Sequence, residues 1–279
     1  MRILVSIGSE ALFGRGEGPE AAAHQRKVIS AAEVLASLDV AHEVVVAHGG
    51  EPQADGVAGK MLELALRNAL PDRDLMTVHP EVVVSAQDPA FDSPSKPIGP
   101  TYSEEEAEQL AAQRGWSMGR QAGGFRRLLP SPEPQAIVEL RSLRTLIDAG
   151  TFLICAGGDG IPVALNGDGA MHGVDAVVDE HLTAALLARR LDADLLVIAA
   201  ETVVVHVGPE GEDERIPGIV TPAGLRDLNS PPRSTWPKLE AACRFVEATG
   251  RRAAIGELRS VALDVLRGQA GARVSASRA

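Results

Sequence analysis

Aromatic side chains are scarce: two Trp, one Tyr and five Phe, 3% of a 279-residue chain. A core without many rings must be filled by small aliphatic side chains, and 45% hydrophobic content supplies them, which suits helices packed on a sheet. Cysteine is nearly absent. Cys155 and Cys243 stand alone, in no CxxC spacing, so neither a disulfide framework nor a thiolate zinc site is expected, and a reducing, cytoplasmic setting is. Positive charge is also in short supply, Lys+Arg 27 against Asp+Glu 38 for a net −11, so the average surface repels polyanions and nucleic acid is not an expected partner. No apolar run approaches the ~20 residues that span a bilayer, so no membrane is expected. Met1 to Ile7 reads as a buried strand and not as a signal peptide.

What the chain does have is alternation. Short β-branched runs at Ile3 to Ile7, Glu43 to Ala47, Glu81 to Val84, Thr151 to Ala156, Leu195 to Ala200 and Arg252 to Ile255 interleave with helical patterns. The helices are expected at Ala21 to Leu38, Gly56 to Leu70, Ile137 to Ala149, Asp175 to Arg190, Lys238 to Ala248 and Glu257 to Gly268. Strands this apolar belong in a mostly parallel sheet covered on both faces. Between Asp88 and Pro134 the pattern breaks: Pro89, Pro94, Pro97, Pro100, Pro130, Pro132 and Pro134 punctuate a polar stretch, the mark of an arm or lid. The expected organisation is one α/β domain over residues 1–268, with 88–134 as a Pro-rich excursion and 269–279 as a disordered tail.

In open α/β sheets ligands sit beyond the carboxyl ends of the strands, and the loops there are rich in glycine. They are Gly8-Ser9-Glu10-Ala11, His48-Gly49-Gly50-Glu51-Pro52-Gln53 and Gly157-Gly158-Asp159-Gly160-Ile161-Pro162. Glycine lets backbone N–H groups approach an anion, although any one such loop taken alone reads better as a tight strand-to-helix turn. Their order is more specific. With DPAFDSPSKPIGP from Asp88, RRLLPSPEPQ from Arg126, ICAGGDGIPV from Ile154, GVDAVVDEHLTAALLARRLDADLLVI from Gly173 and WPKLEAACRFVE from Trp236, the chain resembles the carbamate kinases of the amino-acid kinase family over nearly its whole length. The resemblance implies a three-layer αβα sandwich with a mostly parallel central sheet and an arm subdomain, a homodimer, and phosphate transfer between carbamoyl phosphate and ADP with magnesium. If that reaction is retained, the cofactors are ATP and Mg²⁺.

The departures fall at the loops. The family's GGNA is Gly8-Ser9-Glu10-Ala11 here, HGNGPQ is His48-Gly49-Gly50-Glu51-Pro52-Gln53, and GGGGIPV carries Asp159 between Gly158 and Gly160. The DKD motif, whose lysine supports phosphoryl transfer in the family, is Asp179-Glu180-His181. TAVDYV is replaced by Ala200-Glu201-Thr202-Val203-Val204-Val205, and the substrate-side TQGSIGY has no counterpart. Lys96 and Lys238 survive, with Gly8, Gly49, Gly157, Gly158, Gly160 and Asp179. Phosphoryl transfer rests on positioning and on neutralising the charge of the transferred group. Two like charges ~4 Å apart at an effective dielectric near 20 cost roughly 4 kcal/mol, so Glu10, Glu51, Asp159 and Glu180 on converging loops oppose that reaction.

Two readings follow for the acidic loops. They form a rebuilt pocket for a cation, either a divalent metal held by carboxylates with His48 or His181 (candidate ligands Glu10, Glu51, Asp159 and His181) or an amine or guanidine substrate, or they are a decayed kinase site facing water. Lys238 is a phosphate or carboxylate clamp or a solvated first-turn lysine, Lys96 reaches the cleft from the arm or is an exposed loop residue, and Asp179 caps the following helix. Cys155 is read as a packing residue. The functional expectation is a divergent carbamate-kinase-like protein that binds a small molecule and has lost or repurposed the phosphoryl transfer. The alternatives are an active phosphotransferase in which Lys96, Lys238 and Mg²⁺ compensate, and a non-catalytic assembly subunit.

Overall fold

From Ile3 to Ile7 every side chain of the first strand, β1 (Arg2–Ile7), is buried, and so is every one from Val44 to His48 in β2 (Glu43–His48). Strands buried on both faces need helices above and below, and they lie at the centre of the sheet. The computed structural model describes residues 1–8, 21–49, 55–156, 160–200, 204–207, 213–215, 219–227, 235–266 and 273–276. Its main sheet has eight strands in the order Ile219–Val220, Arg273–Val274, Arg252–Gly256, Leu195–Ala199, β1, β2, Phe152–Ala156, Leu75–Val78. The six from Arg252–Gly256 to Leu75–Val78 run parallel.

Period-two alternation sends Leu4, Val45, Leu153 and Ile198 to one face, where the helices Glu180–Arg190 and Trp236–Thr249 cover them with Leu187, Leu239 and Phe245. Ile3, Val5, Val44, Val46 and Ile154 point the other way, under the helices Ala21–Asp39, Asp55–Ala69 and Leu258–Leu266. Each fully buried large aliphatic or aromatic side chain contributes about 1.5–3 kcal/mol, so these two cores hold the three-layer αβα sandwich together.

The Pro-rich excursion is a small subdomain. Lys96–Tyr102, Met118–Gln121 and Gly124–Leu129 make a separate three-stranded antiparallel sheet. The helix Glu104–Arg114 beside it opens with a capping box between Ser103 and Glu106. The guanidinium groups of Arg114 and Arg127 both lie over the Trp116 ring, 4.9 and 4.5 Å from its centroid. Arg127 also pairs with Asp175, Lys96 with Asp179 and Glu133 with Arg244, so ion pairs tie the arm to the body.

Three expectations are corrected. Glu81–Val83 is not in the main sheet; it joins a four-stranded sheet with Ala136–Ile137, Ile161–Leu165 and Met171–Gly173. The main-sheet edge is Leu75–Val78, whose exposed Met76 breaks the apolar run that marks the inner strands. The helix expected from Asp175 begins at Glu180, because the Asp179 carboxylate accepts the N–H groups of His181 and Leu182 and so starts the helix there. The tail is not uniformly disordered: Arg273–Val274 pairs antiparallel with Ala253 and Ala254, and Val274 is buried in the core.

Candidate functional site

At the carboxyl ends of the two central strands the chain turns out of the sheet at Gly8 and Gly49. The Gly49 N–H donates to the Ile7 carbonyl (3.1 Å), holding the two turns side by side. The helix Glu180–Arg190 starts directly over them. A methyl group added at Gly8 would stand 2.9 Å from Oε1 of Glu180, and one added at Gly49 would stand 1.8 Å from Oε2. The two glycines are therefore the walls of a niche that the Glu180 carboxylate fills.

His181 holds that carboxylate. Its Nε2 lies 3.2 Å from Glu180 Oε1, and its Nδ1 lies 2.9 Å from the hydroxyl of Ser6. Ser6 and His181 are both buried, whereas the Glu180 side chain keeps 21% of its surface open. Burial alone would favour the neutral acid. The hydrogen bond and electrostatic pull of the His181 N–H, with the charges of Lys96 and Lys238, outweigh it and hold the Glu180 pKa down at about 2. Glu180 is an ionised acceptor at neutral pH.

Asp179, next door, divides its two oxygens. Oδ1 accepts from the backbone of His181 (3.0 Å) and Leu182 (3.2 Å), and Oδ2 meets Lys96 Nζ at 3.2 Å. The ordinary capping role expected for Asp179 and the cleft-facing role expected for Lys96 are thus two ends of one contact. Lys238, half-buried in the first turn of Trp236–Thr249, contributes its charge to Glu180 from the neighbouring helix.

His48, the last residue of β2, is fully buried. Alternation puts it on the face opposite Glu180, and neither ring nitrogen has a hydrogen-bond partner among the described residues. Burial pushes its pKa down to about 4, with the Gly49 backbone and Glu180 opposing and His79 adding to the fall. Gly160 serves the backbone: its φ is +66°, and a methyl there would meet Val82 Cγ2 at 2.2 Å and the Pro80 carbonyl at 2.9 Å. Cys155 is buried, with its thiol pushed up to about 12, which suits a packing role.

Of the candidates, the structure brings Gly8, Gly49, Glu180, His181, Asp179, Lys96 and Lys238 to one place. Ser9, Glu10, Gly50, Glu51, Gly157, Gly158 and Asp159 lie outside the described residues. Both ring nitrogens of His181 are engaged by Ser6 and Glu180, and both oxygens of Asp179 by the helix N-terminus and Lys96. Among the described residues no group of three His, Cys, Asp or Glu side chains could hold a metal ion, so they supply no ligand set for magnesium. Sequence reading passed over Ser6; its one signal was a lone hydroxyl inside an otherwise apolar strand, two residues before Gly8.

A parallel sheet with this strand order, glycine turns at the ends of its central strands and a helix N-terminus over them define an α/β protein of the class that binds ligands at the carboxyl edge of its sheet. The chain belongs to the amino acid kinase family, whose family pattern matches residues 1–256. Within that family the similarity is to carbamate kinases. The carbamate kinase of Haemophilus influenzae is 35% identical over 99% of this chain and 97% of its own length, and that of Rhizobium meliloti 36% over 99% and 94%. The structure of carbamate kinase from Giardia lamblia bound to AMP-PNP superposes with a TM-score of 0.85 at 28% identity, covering 98% of both chains.

Proposed function

We propose that this chain binds a small molecule in the cleft of a carbamate-kinase fold and no longer carries out the phosphoryl transfer between carbamoyl phosphate and ADP. The observation that carries the reading is the Glu180 carboxylate, seated between Gly8 and Gly49 and held ionised by His181. By the family resemblance this position belongs to the lysine of the DKD motif. Replacing a cation by an anion there reverses the electrostatics that phosphoryl transfer needs. Loop substitutions Glu10, Glu51 and Asp159 add charge of the same sign.

A second reading is an active ATP-dependent phosphotransferase acting on carbamate or a related small acid, with ATP and Mg²⁺ as cofactors. It is favoured by Lys96 and Lys238, whose charges both act on Glu180, and by near full-length similarity to carbamate kinases. Thermal stability with and without saturating MgATP separates the two. A site filled at ~100 times its Kd adds about 2.7 kcal/mol, a rise of roughly 5–11 °C for a domain of this size. The proposed reading expects no rise; a clear one supports the phosphotransferase.

The assembly unit we propose is a homodimer. The main sheet ends at Leu75–Val78, whose Met76 is exposed, and the adjoining helix Asp55–Ala69 exposes Leu64, so apolar surface lies along an open sheet edge. Sedimentation at micromolar concentration tests it, and a monomer there overturns it. Among the described residues no helix is long and apolar enough to cross a membrane.

A further inference from the structure

Ser6 and His181 are distant in sequence, 175 residues apart, and their buried side chains meet between β1 and the helix Glu180–Arg190. The chain of contacts is continuous: Ser6 Oγ to His181 Nδ1 at 2.9 Å, then His181 Nε2 to Glu180 Oε1 at 3.2 Å. We propose that Ser6 and His181 are positioning residues for Glu180: the buried hydroxyl fixes the imidazole as its Nε2–H tautomer, and that N–H holds the carboxylate in the Gly8–Gly49 niche as an acceptor for a ligand group bearing N–H or O–H protons.

The hydrogen-bond inventory carries the argument. An ionised carboxylate accepts and does not donate, so the ring nitrogen facing Glu180 must bear a proton. In the neutral ring Nδ1 is then a lone pair, which needs a donor, and among the described residues the Ser6 O–H lies against it. The opposite neutral tautomer would set a lone pair against the carboxylate. With both nitrogens used inside the protein, His181 is a support and the outward chemistry belongs to Glu180. Among the described residues, the charged and titratable groups around that carboxylate are Asp179 and His181 on its own helix, Lys96 on the arm, Lys238 on the neighbouring helix and His48 at the end of β2. Since the carboxylate only accepts, the ligand group that meets it is a protonated nitrogen or a hydroxyl, and a phosphoryl oxygen is repelled. This last step rests on the reading that the cleft binds a small molecule; the tautomer does not.

The test is ¹⁵N–¹H NMR of the histidine rings in the full chain, with H181N used to assign the signal. Wild type should show the His181 Nε2–H tautomer with the pattern of a hydrogen-bonded proton. Ser6→Ala should lose that single state and exchange between tautomers, while Ser6→Thr, which keeps the hydroxyl, restores it. A wild-type spectrum showing the Nδ1–H tautomer or an imidazolium at neutral pH overturns the proposal, as does a Ser6→Ala spectrum identical to wild type. For the ligand class, ethylammonium and inorganic phosphate are titrated while the Nε2–H shift is followed. Wild type should respond to ethylammonium at a concentration at least fivefold lower than to phosphate, with the preference lost in Glu180→Gln. The reverse order in wild type refutes the ligand class. ATP-dependent stabilisation would refute the proposed function while leaving the tautomer result standing, so the two failures are distinct.

Discussion

Replacing Gly49 by alanine puts a methyl group 1.8 Å from Oε2 of Glu180, 2.4 Å from its Cδ and 2.7 Å from its Cβ. The carboxylate end could swing away, but the Cβ is fixed to the helix, so the first turn of Glu180–Arg190 must separate from the end of β2. The backbone of Gly49 is outside the left-handed region, so alanine brings no conformational strain of its own and the whole cost is steric. Overpacking of this kind costs about 1–3 kcal/mol. Taking 2 kcal/mol, the melting temperature should fall by roughly 4–8 °C. Glu180→Gly removes every clashing atom, at a cost of up to about 1 kcal/mol for glycine in a helix and about 1 kcal/mol for the lost His181 bond. The assay is a double-mutant cycle by urea denaturation. The Gly49→Ala/Glu180→Gly chain should be more stable than the sum of the single changes predicts, by about 1–2 kcal/mol. Gly167→Ala, where nothing lies within 4 Å of the added methyl, is the control and should stay within about 0.5 kcal/mol of wild type. Additivity of the two site changes to within ~0.5 kcal/mol would refute the placement of Glu180 in the niche.

Acid stability carries two further expectations. His48, with its pKa pushed to about 4, binds no proton in the folded state while the unfolded chain takes one up near pH 6.5. Stability should therefore fall between pH 6.5 and 4, by up to about 3 kcal/mol, and His48→Leu should flatten that decline in urea titrations at each pH. Glu180, held at about 2, contributes stability above pH 4.5 that disappears as pH falls through 2, so Glu180→Gln should lower stability by a constant amount above pH 4.5 and flatten the curve between pH 4.5 and 2. At Asp179, Asn keeps a capping oxygen but loses the Lys96 ion pair, and should cost about 1 kcal/mol; Ala loses both and should cost about 2–3 kcal/mol by thermal melting. Lys96→Met should leave global stability within about 1 kcal/mol while raising amide exchange in residues 96–129.

The layers were legible because their causes are local. Ile3 to Val5 and Leu195 to Ala199 are apolar at consecutive positions, which a covered parallel strand explains, and the broken pattern after Asp88 marks the arm. The motif order around Lys96, Asp179 and Lys238 pointed to the family. What escaped was set by distance. Nothing in Leu-Val-Ser-Ile announces that Ser6 faces a histidine 175 residues away, because that contact depends on how the Glu180–Arg190 helix lies across the sheet. His181 was a candidate metal ligand from its chemistry alone; only three-dimensional placement shows both nitrogens already used. Gly160 resembled a phosphate-loop glycine, yet its left-handed φ and its approach to the Pro80 carbonyl give it a backbone task. Leu75–Val78 went unnoticed because an edge strand, covered on fewer sides, carries a weaker apolar signature than the strands inside it.

The most direct measurement of the central claim is ATP formation by the purified chain from ADP and carbamoyl phosphate with magnesium, against the same mixture without protein. On the proposed reading no ATP forms above the uncatalysed background, because the ionised Glu180 carboxylate would then occupy the position of the family's DKD lysine. ATP formation above background that rises in proportion to protein concentration would contradict it.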